Sequence, residues 1–232
     1  MSIGENYRRI ASQVADCAQE QGRDAGQVCL IAVSKTVDAP VVAQAIAAGA
    51  HDFGENRPEC LVQKAQAYPD QNWHFIGNIQ SRRIGDIVEH ACLIHSLFQE
   101  SHARKISSHA ASLGKVQDVL IEVNVSGEES KGGCTPAQAI DLVRCCLELP
   151  GVRPRGLMTM APQGSREEAL RTFQGLAQLR DQIRSAMEPD DAAVFNELSM
   201  GMSEDWPEAI ACGATMVRIG RAIFSEEPLV LK

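Results

Sequence analysis

Lys35 closes an apolar run, "LIAVSKTV" (residues 30–37), whereas the other five lysines stand in polar, turn-like or helix-surface contexts. A lysine at a strand end ordinarily extends its stem and leaves its ammonium in water. Rooted in the mouth of a barrel and near an arginine, the same amine can condense with an aldehyde or ketone to form a Schiff base. Two chemistries use such a lysine: aldolase capture of a sugar-like carbonyl, or linkage to pyridoxal phosphate, whose phosphate requires its own cradle. The stretch "NELSMGMSEDW" (196–206) supplies a turn with Ser199, Gly201 and Ser203 ahead of Glu204 and Asp205 at a helix start. Backbone N–H groups at such a turn suit an anion. "MVRIGR" (216–221) follows, where Arg218 adds a fixed positive charge and Gly220 permits close backbone approach.

These residues need a scaffold that gathers strand ends. Short apolar runs alternate with helix-patterned stretches after an N-terminal helix over about residues 3–21. The strand candidates span 27–36, 51–56, 72–79, 92–98, 116–125, 152–160, 194–200 and 216–224. Between them, "DAPVVAQAIAAGA", "TPAQAIDLVRCCLELPG", "SREEALRTFQGLAQLRDQIRSAM" and "SEDWPEAIACGA" carry N-cap residues, and most end at a glycine. Eight strands alternating with helices predict an α/β fold, a single (β/α)8 TIM barrel with an extra N-terminal helix, rather than an open doubly wound sheet with a Gly-rich nucleotide turn. No linker or composition shift divides the chain, so residues 1–232 are expected to form one domain.

In a barrel the strand C-termini collect at one mouth. The polar residues expected there are Ser34 and Lys35, Glu55 and Asn56, Asn78, His95 and Ser96, Asn124 and Ser126, Ser199, and Arg218 with Gly220, beside Met158 and Met160. His74 and His95 read as satisfied core histidines, Met158 and Met160 as barrel filling, and Lys131 as a solvated loop lysine on the same mouth. Arg82 and Arg83 open a helix whose dipole does not favour them. Glu128/Glu129 and Glu167/Glu168 read as solvated faces and helix starts.

The net charge of −8 and pI near 5.3 argue against a surface built for nucleic acid or anionic lipid, so an anionic ligand needs a focused site. No run is long and apolar enough to span a bilayer and the N-terminus lacks a signal-peptide pattern, so a cytoplasmic location is expected; the chain is also expected to be a monomer. The eight cysteines lie mostly within apolar periodic segments with no CxxC pair, which predicts buried free thiols and no metal site.

"LIAVSKT", "FGEN", "WHFIGNIQSRR", "IHSL", "EVNVSGEESKGG", "RGLMTMAP" and "LSMGMSEDWPEAIACGATMVRIGRAIF" cover nearly the whole chain in order. Together they resemble the YggS/PROSC family of pyridoxal phosphate homeostasis proteins, related to the barrel domain of alanine racemase. The resemblance implies pyridoxal 5'-phosphate as an internal aldimine on Lys35, with Ser199, Gly201, Arg218 and Gly220 at its phosphate end and Asn56 near its ring. It also implies a role in vitamin B6 balance, with dependent apoenzymes as partners. The chain departs from the family pattern at Arg57, commonly Tyr, and at Asn78, often His. Two-base racemisation needs an acid/base on each face of the bound amino acid, and in alanine racemases one of these is a tyrosine from a separate domain. Tyr7 and Tyr68, the two tyrosines here, lie in a helix and a polar loop, which favours a non-catalytic carrier over a racemase.

Overall fold

Eight parallel strands close on themselves in the order β1 to β8 in the computed structural model, which describes residues 2–128, 131–162 and 164–225. The strands are β1 (Cys29–Val33), β2 (Asp52–Glu55), β3 (Asn72–Phe75), β4 (Leu93–Leu97), β5 (Gln117–Glu122), β6 (Val152–Met158), β7 (Glu197–Ser199) and β8 (Met216–Ile219). Closure is sealed by β8 pairing with β1, Ile31 opposite Arg218. Around the barrel run α1 (Ile3–Glu20), α2 (Ala39–Ile46), α3 (Pro58–Ala67), α4 (Ile84–His90), α5 (Glu100–Ser112), α6 (Pro136–Leu147), α7 (Arg166–Ser185), α8 (Pro189–Val194), α9 (Trp206–Ala211) and α10 (Arg221–Phe224). The expected (β/α)8 architecture and N-terminal helix are therefore present.

Helix starts follow local side-chain chemistry. Ser2 and Thr135 each complete a capping box, with Glu5 and Gln138, and Ser165 accepts from the Glu168 N–H. Asp38 and Asp205 occupy N-cap positions without capping through their side chains. The outer strand faces send Phe53, Phe75, Ile94, Ile121, Leu157 and Val217 into a core shared with the helices. Leu93, Leu120 and Met158 form a separate apolar cluster.

The strands are shorter than the expected runs, 27–36 being strand only over Cys29–Val33 and 72–79 only over Asn72–Phe75, and two further runs are cut short next to helices. The stretch 194–200 is strand only over Glu197–Ser199, because α8 starts at Pro189 and runs to Val194. The stretch 216–224 is strand only to Ile219. Past Gly220 the chain turns into α10, and a Cβ on Gly220 would lie 3.1 Å from the Val33 carbonyl.

Gly156 lets β6 and β7 meet: a Cβ there would fall 1.9 Å from the Glu197 carbonyl oxygen. Strand separation would have to grow to admit any side chain. Gly156→Ala is expected to destabilise the protein by about 2–3 kcal/mol or more, the range of core overpacking, measured as a lower urea midpoint.

Candidate functional site

The C-terminal mouth of the barrel holds Lys35 on its rim, two residues beyond the end of β1, exposed and without a hydrogen-bond or ion-pair partner among the described residues. What fixes the preceding residue is buried behind it. Ser34 donates its hydroxyl to Glu55 Oε1 at 2.5 Å, and Lys64 of α3 donates to the same oxygen at 2.5 Å and to the Ser34 carbonyl at 2.8 Å. Glu55 and Lys64 are 0% and 3% exposed. Glu55 is therefore not a mouth residue, and Lys64 is not a helix-surface lysine. Both correct the sequence reading, which could not see that α3 turns Lys64 inward onto the gap between β1 and β2.

Inside the barrel, Arg218 is 4% exposed and donates through Nη1 to Ser199 Oγ at 2.6 Å and through Nη2 to the Thr159 carbonyl at 3.0 Å. Among the described residues it forms no ion pair, so a full positive charge is buried on neutral oxygens. Burial pulls its pKa down to about 10, with Asp205 and Glu122 opposing from a distance. Ser199 also contacts His95 Nδ1 at 2.8 Å. His95 lies on β4 and Ser199 on β7, so this bond crosses the interior. His95 Nε2 meets His74 Nδ1 at 2.9 Å, and His74 Nε2 meets Asp52 Oδ1 at 3.1 Å at the foot of β2. Both histidines are buried and hydrogen-bonded, as expected of core histidines, but they also join the foot of the barrel to the mouth.

Electrostatics separate the two rings. Burial works to neutralise His74, yet its bond to the Asp52 carboxylate and further help from Cys92 and Asp52 raise it to about 9. Burial, then the neighbouring His74 and Arg218 charges, hold His95 well below the usual imidazole range. Glu122, at the end of β5 and 4% exposed, is raised by burial against the opposing pull of Arg218. Sequence reasoning missed it, although an acid closing the apolar run "VLIE" is the same signal that drew attention to Lys35.

Gly201 has φ 91°, and a Cβ there would stand 2.6 Å from Ala209 Cβ and 2.9 Å from Trp206 Cα. Asp205 turns back to accept from the Met202 N–H at 2.6 Å. Among the described residues neither the Gly201 nor the Gly220 N–H meets a protein acceptor. Asn56 follows β2, and its backbone is pressed by Gly77, where a Cβ would sit 2.0 Å from the Asn56 carbonyl oxygen. Gly77 is a second residue the sequence reading passed over.

The remaining candidates divide clearly. Lys131 donates to the Ala161 carbonyl at 3.1 Å, so it bridges two mouth loops rather than standing free in solvent. Arg83 pairs with Asp86 at 2.6 Å, while Arg82, Arg57 and Asn78 are exposed. Ser96 is buried, donating to the Gly77 carbonyl, and Asn124 and Ser126 bond within their own loop. Met158 is buried, whereas Met160 is exposed and fills nothing. Glu129 lies outside the described residues. All eight cysteines are free, but only Cys134 and Cys146 are buried and Cys92 is exposed, so the expectation of buried thiols fails for most. No described helix is long and apolar enough to cross a membrane. Two clefts, of about 370 and 230 Å³, lie at the opposite, N-terminal face, the first beside Cys29 and Asp52 and the second beside Asp52 and His74. The strand-end argument still favours the mouth, because the free amine and the buried cation point there.

This barrel and mouth have known counterparts. The alanine racemase N-terminal domain family matches residues 6–228. The pyridoxal phosphate homeostasis protein of Aquifex aeolicus is 38% identical over 229 residues, covering 97% of this chain and 99% of that protein. A protein of Bifidobacterium adolescentis described as unknown superposes with TM-score 0.90 at 36% identity, covering 96% and 94% of the two chains. PipY of Synechococcus elongatus, solved with pyridoxal phosphate bound, superposes with TM-score 0.82 at 31% identity, covering 96% of this chain and all of PipY. The chain belongs to the alanine racemase N-terminal domain family, within its pyridoxal phosphate homeostasis branch.

Two stability outcomes follow from this geometry. Lys64→Met leaves Glu55 buried without its cation and is expected to cost about 3–5 kcal/mol, with Lys64→Met/Glu55→Gln recovering much of the loss in urea denaturation. His74 titrates near 9 in the fold against 6.5 ordinarily, so its stabilisation is complete below pH 6.5 and fades as pH rises through about 9. Unfolding free energy should fall across that window, and Asp52→Asn should flatten the fall.

Proposed function

We propose that this chain binds pyridoxal 5'-phosphate at the barrel mouth, linked covalently through Lys35, and serves intracellular vitamin B6 homeostasis without catalytic turnover. The observation that carries this reading is Arg218: a buried guanidinium on neutral partners, beside a serine and two unused glycine N–H groups, calls for an anion. Ser199, Gly201, Arg218 and Gly220 would hold the phosphate end, and Asn56 would border the ring. Lys35 Nζ, unpartnered on the rim, would attack the aldehyde carbon with loss of water. When bound, the cofactor supplies a conjugated electron sink, which is why its carriers must limit access to it.

The absence of turnover rests on the tyrosines. Tyr68 commits its hydroxyl to the Ala39 carbonyl at 2.9 Å, and Tyr7 lines a cleft near the foot of the barrel. Neither offers a second base at the mouth. We also propose that residues 1–232 act as one monomeric, cytoplasmic domain that passes cofactor to dependent apoenzymes.

Purified protein given pyridoxal 5'-phosphate should turn yellow, and borohydride should bleach the band while fixing the cofactor to the Lys35 peptide in mass spectrometry. Lys35→Ala should lose both signals. A colourless protein, or fixation at another lysine, would defeat the proposal. Solvent exchange of amino-acid α-protons that depends on Lys35 would replace the carrier reading with a racemase.

A further inference from the structure

Ser34 has every polar group committed, although it lies one residue beyond the end of β1. Its N–H donates to the Gly54 carbonyl at 3.0 Å, and its hydroxyl donates to Glu55 Oε1 at 2.5 Å. Its carbonyl accepts twice, from Lys64 Nζ at 2.8 Å and from the Val37 N–H at 3.1 Å. Ser34 is fully buried, and the next residue, Lys35, is exposed. The Val37 bond closes a turn over 34–37 in which Lys35 stands second. The planar peptide joining Ser34 to Lys35 is thus held at its oxygen from two sides, and the Lys35 backbone starts from a fixed direction.

The same carboxylate braces Asn56. Glu55 and Lys64 join β2 to α3 across a connection made only of Asn56 and Arg57. On the other side the Glu55 carbonyl accepts from the Ile76 N–H at 2.8 Å, and Gly77 presses on the Asn56 carbonyl. Lys35 and Asn56 therefore leave the barrel from neighbouring strands tied to one buried pair. Energetics argue that this pair orients more than it stabilises. Both donors converge on Oε1, while Oε2 is buried with no partner among the described residues. Desolvating a lysine and a carboxylate is costly, and an apolar pair of similar volume often serves stability as well or better.

We propose that Glu55 and Lys64 are positioning residues for covalent capture: by fixing the 34–37 turn and the base of Asn56, they aim the Lys35 amine at an aldehyde held in the mouth. This rests on the reading of the mouth as a pyridoxal phosphate site. In the capture step the unprotonated Lys35 Nζ bonds to the aldehyde carbon, and the aldehyde oxygen leaves as water with the two hydrogens of that nitrogen. Glu55 and Lys64 sit behind the sheet and act on this step through the backbone. Small errors in the direction of attack cost rate steeply.

Capture and recognition are separable by experiment. Pyridoxine 5'-phosphate carries a hydroxymethyl group in place of the aldehyde, so it reports binding without the covalent bond. Lys64→Met/Glu55→Gln removes both charges together, and its affinity for pyridoxine 5'-phosphate should stay within about two-fold of wild type while yellow-band formation with pyridoxal 5'-phosphate slows about ten- to a hundred-fold. Ser34→Ala keeps the ion pair and removes one tie, so it should slow capture by a smaller factor. Amide hydrogen exchange supplies a second readout: in the double variant Val37 should exchange faster and Ile76 should not. Equal losses of pyridoxine 5'-phosphate binding and of capture would mark a merely structural pair and overturn the proposal, as would a wild-type capture rate in the double variant. Should that variant fail to fold, Ser34→Ala decides by the same two measurements. If the wild-type protein captures no cofactor, the functional reading fails, while the Val37 amide still judges whether the pair holds the turn.

Discussion

A positive charge sealed inside a barrel is the constraint on which the rest of the site depends. Arg218 reaches the interior because β8 must pair with β1 to close the sheet, and its guanidinium is then held by Ser199 and the Thr159 carbonyl with no carboxylate in contact among the described residues. Ionised groups are buried at large cost unless something compensates them. Here the compensation is distant, from Asp205 and Glu122, and so incomplete at the mouth. An anionic ligand at the mouth, as proposed, would complete it.

Two polar systems divide the work around that charge. Behind the sheet, Lys64 and Glu55 tie Ser34, and so the root of Lys35, to α3. Inside it, the histidines brace Ser199. The first is an ion pair whose charges cancel locally, so it orders the backbone without adding field at the mouth. The second spreads positive charge along the interior while keeping the ring nearest the serine neutral. Interior packing is correspondingly mixed, with Leu93, Leu120 and Met158 filling the space the polar chain leaves.

The element pattern was readable because strands and helices alternate and their caps are local. All eight strands fall within the expected runs, and Ser2, Thr135 and Ser165 mark helix starts through bonds three residues away. The misses share one cause. Lys64 read as surface because a ten-residue helix with weak amphipathicity does not announce which way one lysine points. His74 and His95 read as ordinary core residues because the partner that gives them direction, Ser199, is 104 residues beyond His95. Glu122 was passed over because its neighbour Arg218 is equally remote. Gly77 is legible only once Asn56 is seen pressed against it.

By itself the sequence determined the alternation of elements, the lysine at the end of β1, and the serine, glycines and arginine that follow one another near the end of the chain, since each depends on spacing within one segment. Tertiary structure alone decided which charges are buried, which nitrogen faces which oxygen, and that the foot of the barrel is wired to its mouth. Those outcomes depend on contacts between different strands and helices, from neighbours such as Asp52 and His74 to His95 and Ser199, whose strands lie three apart around the closed sheet. Barrel closure sets these elements side by side and brings β4 and β7 face to face, and no local pattern records it.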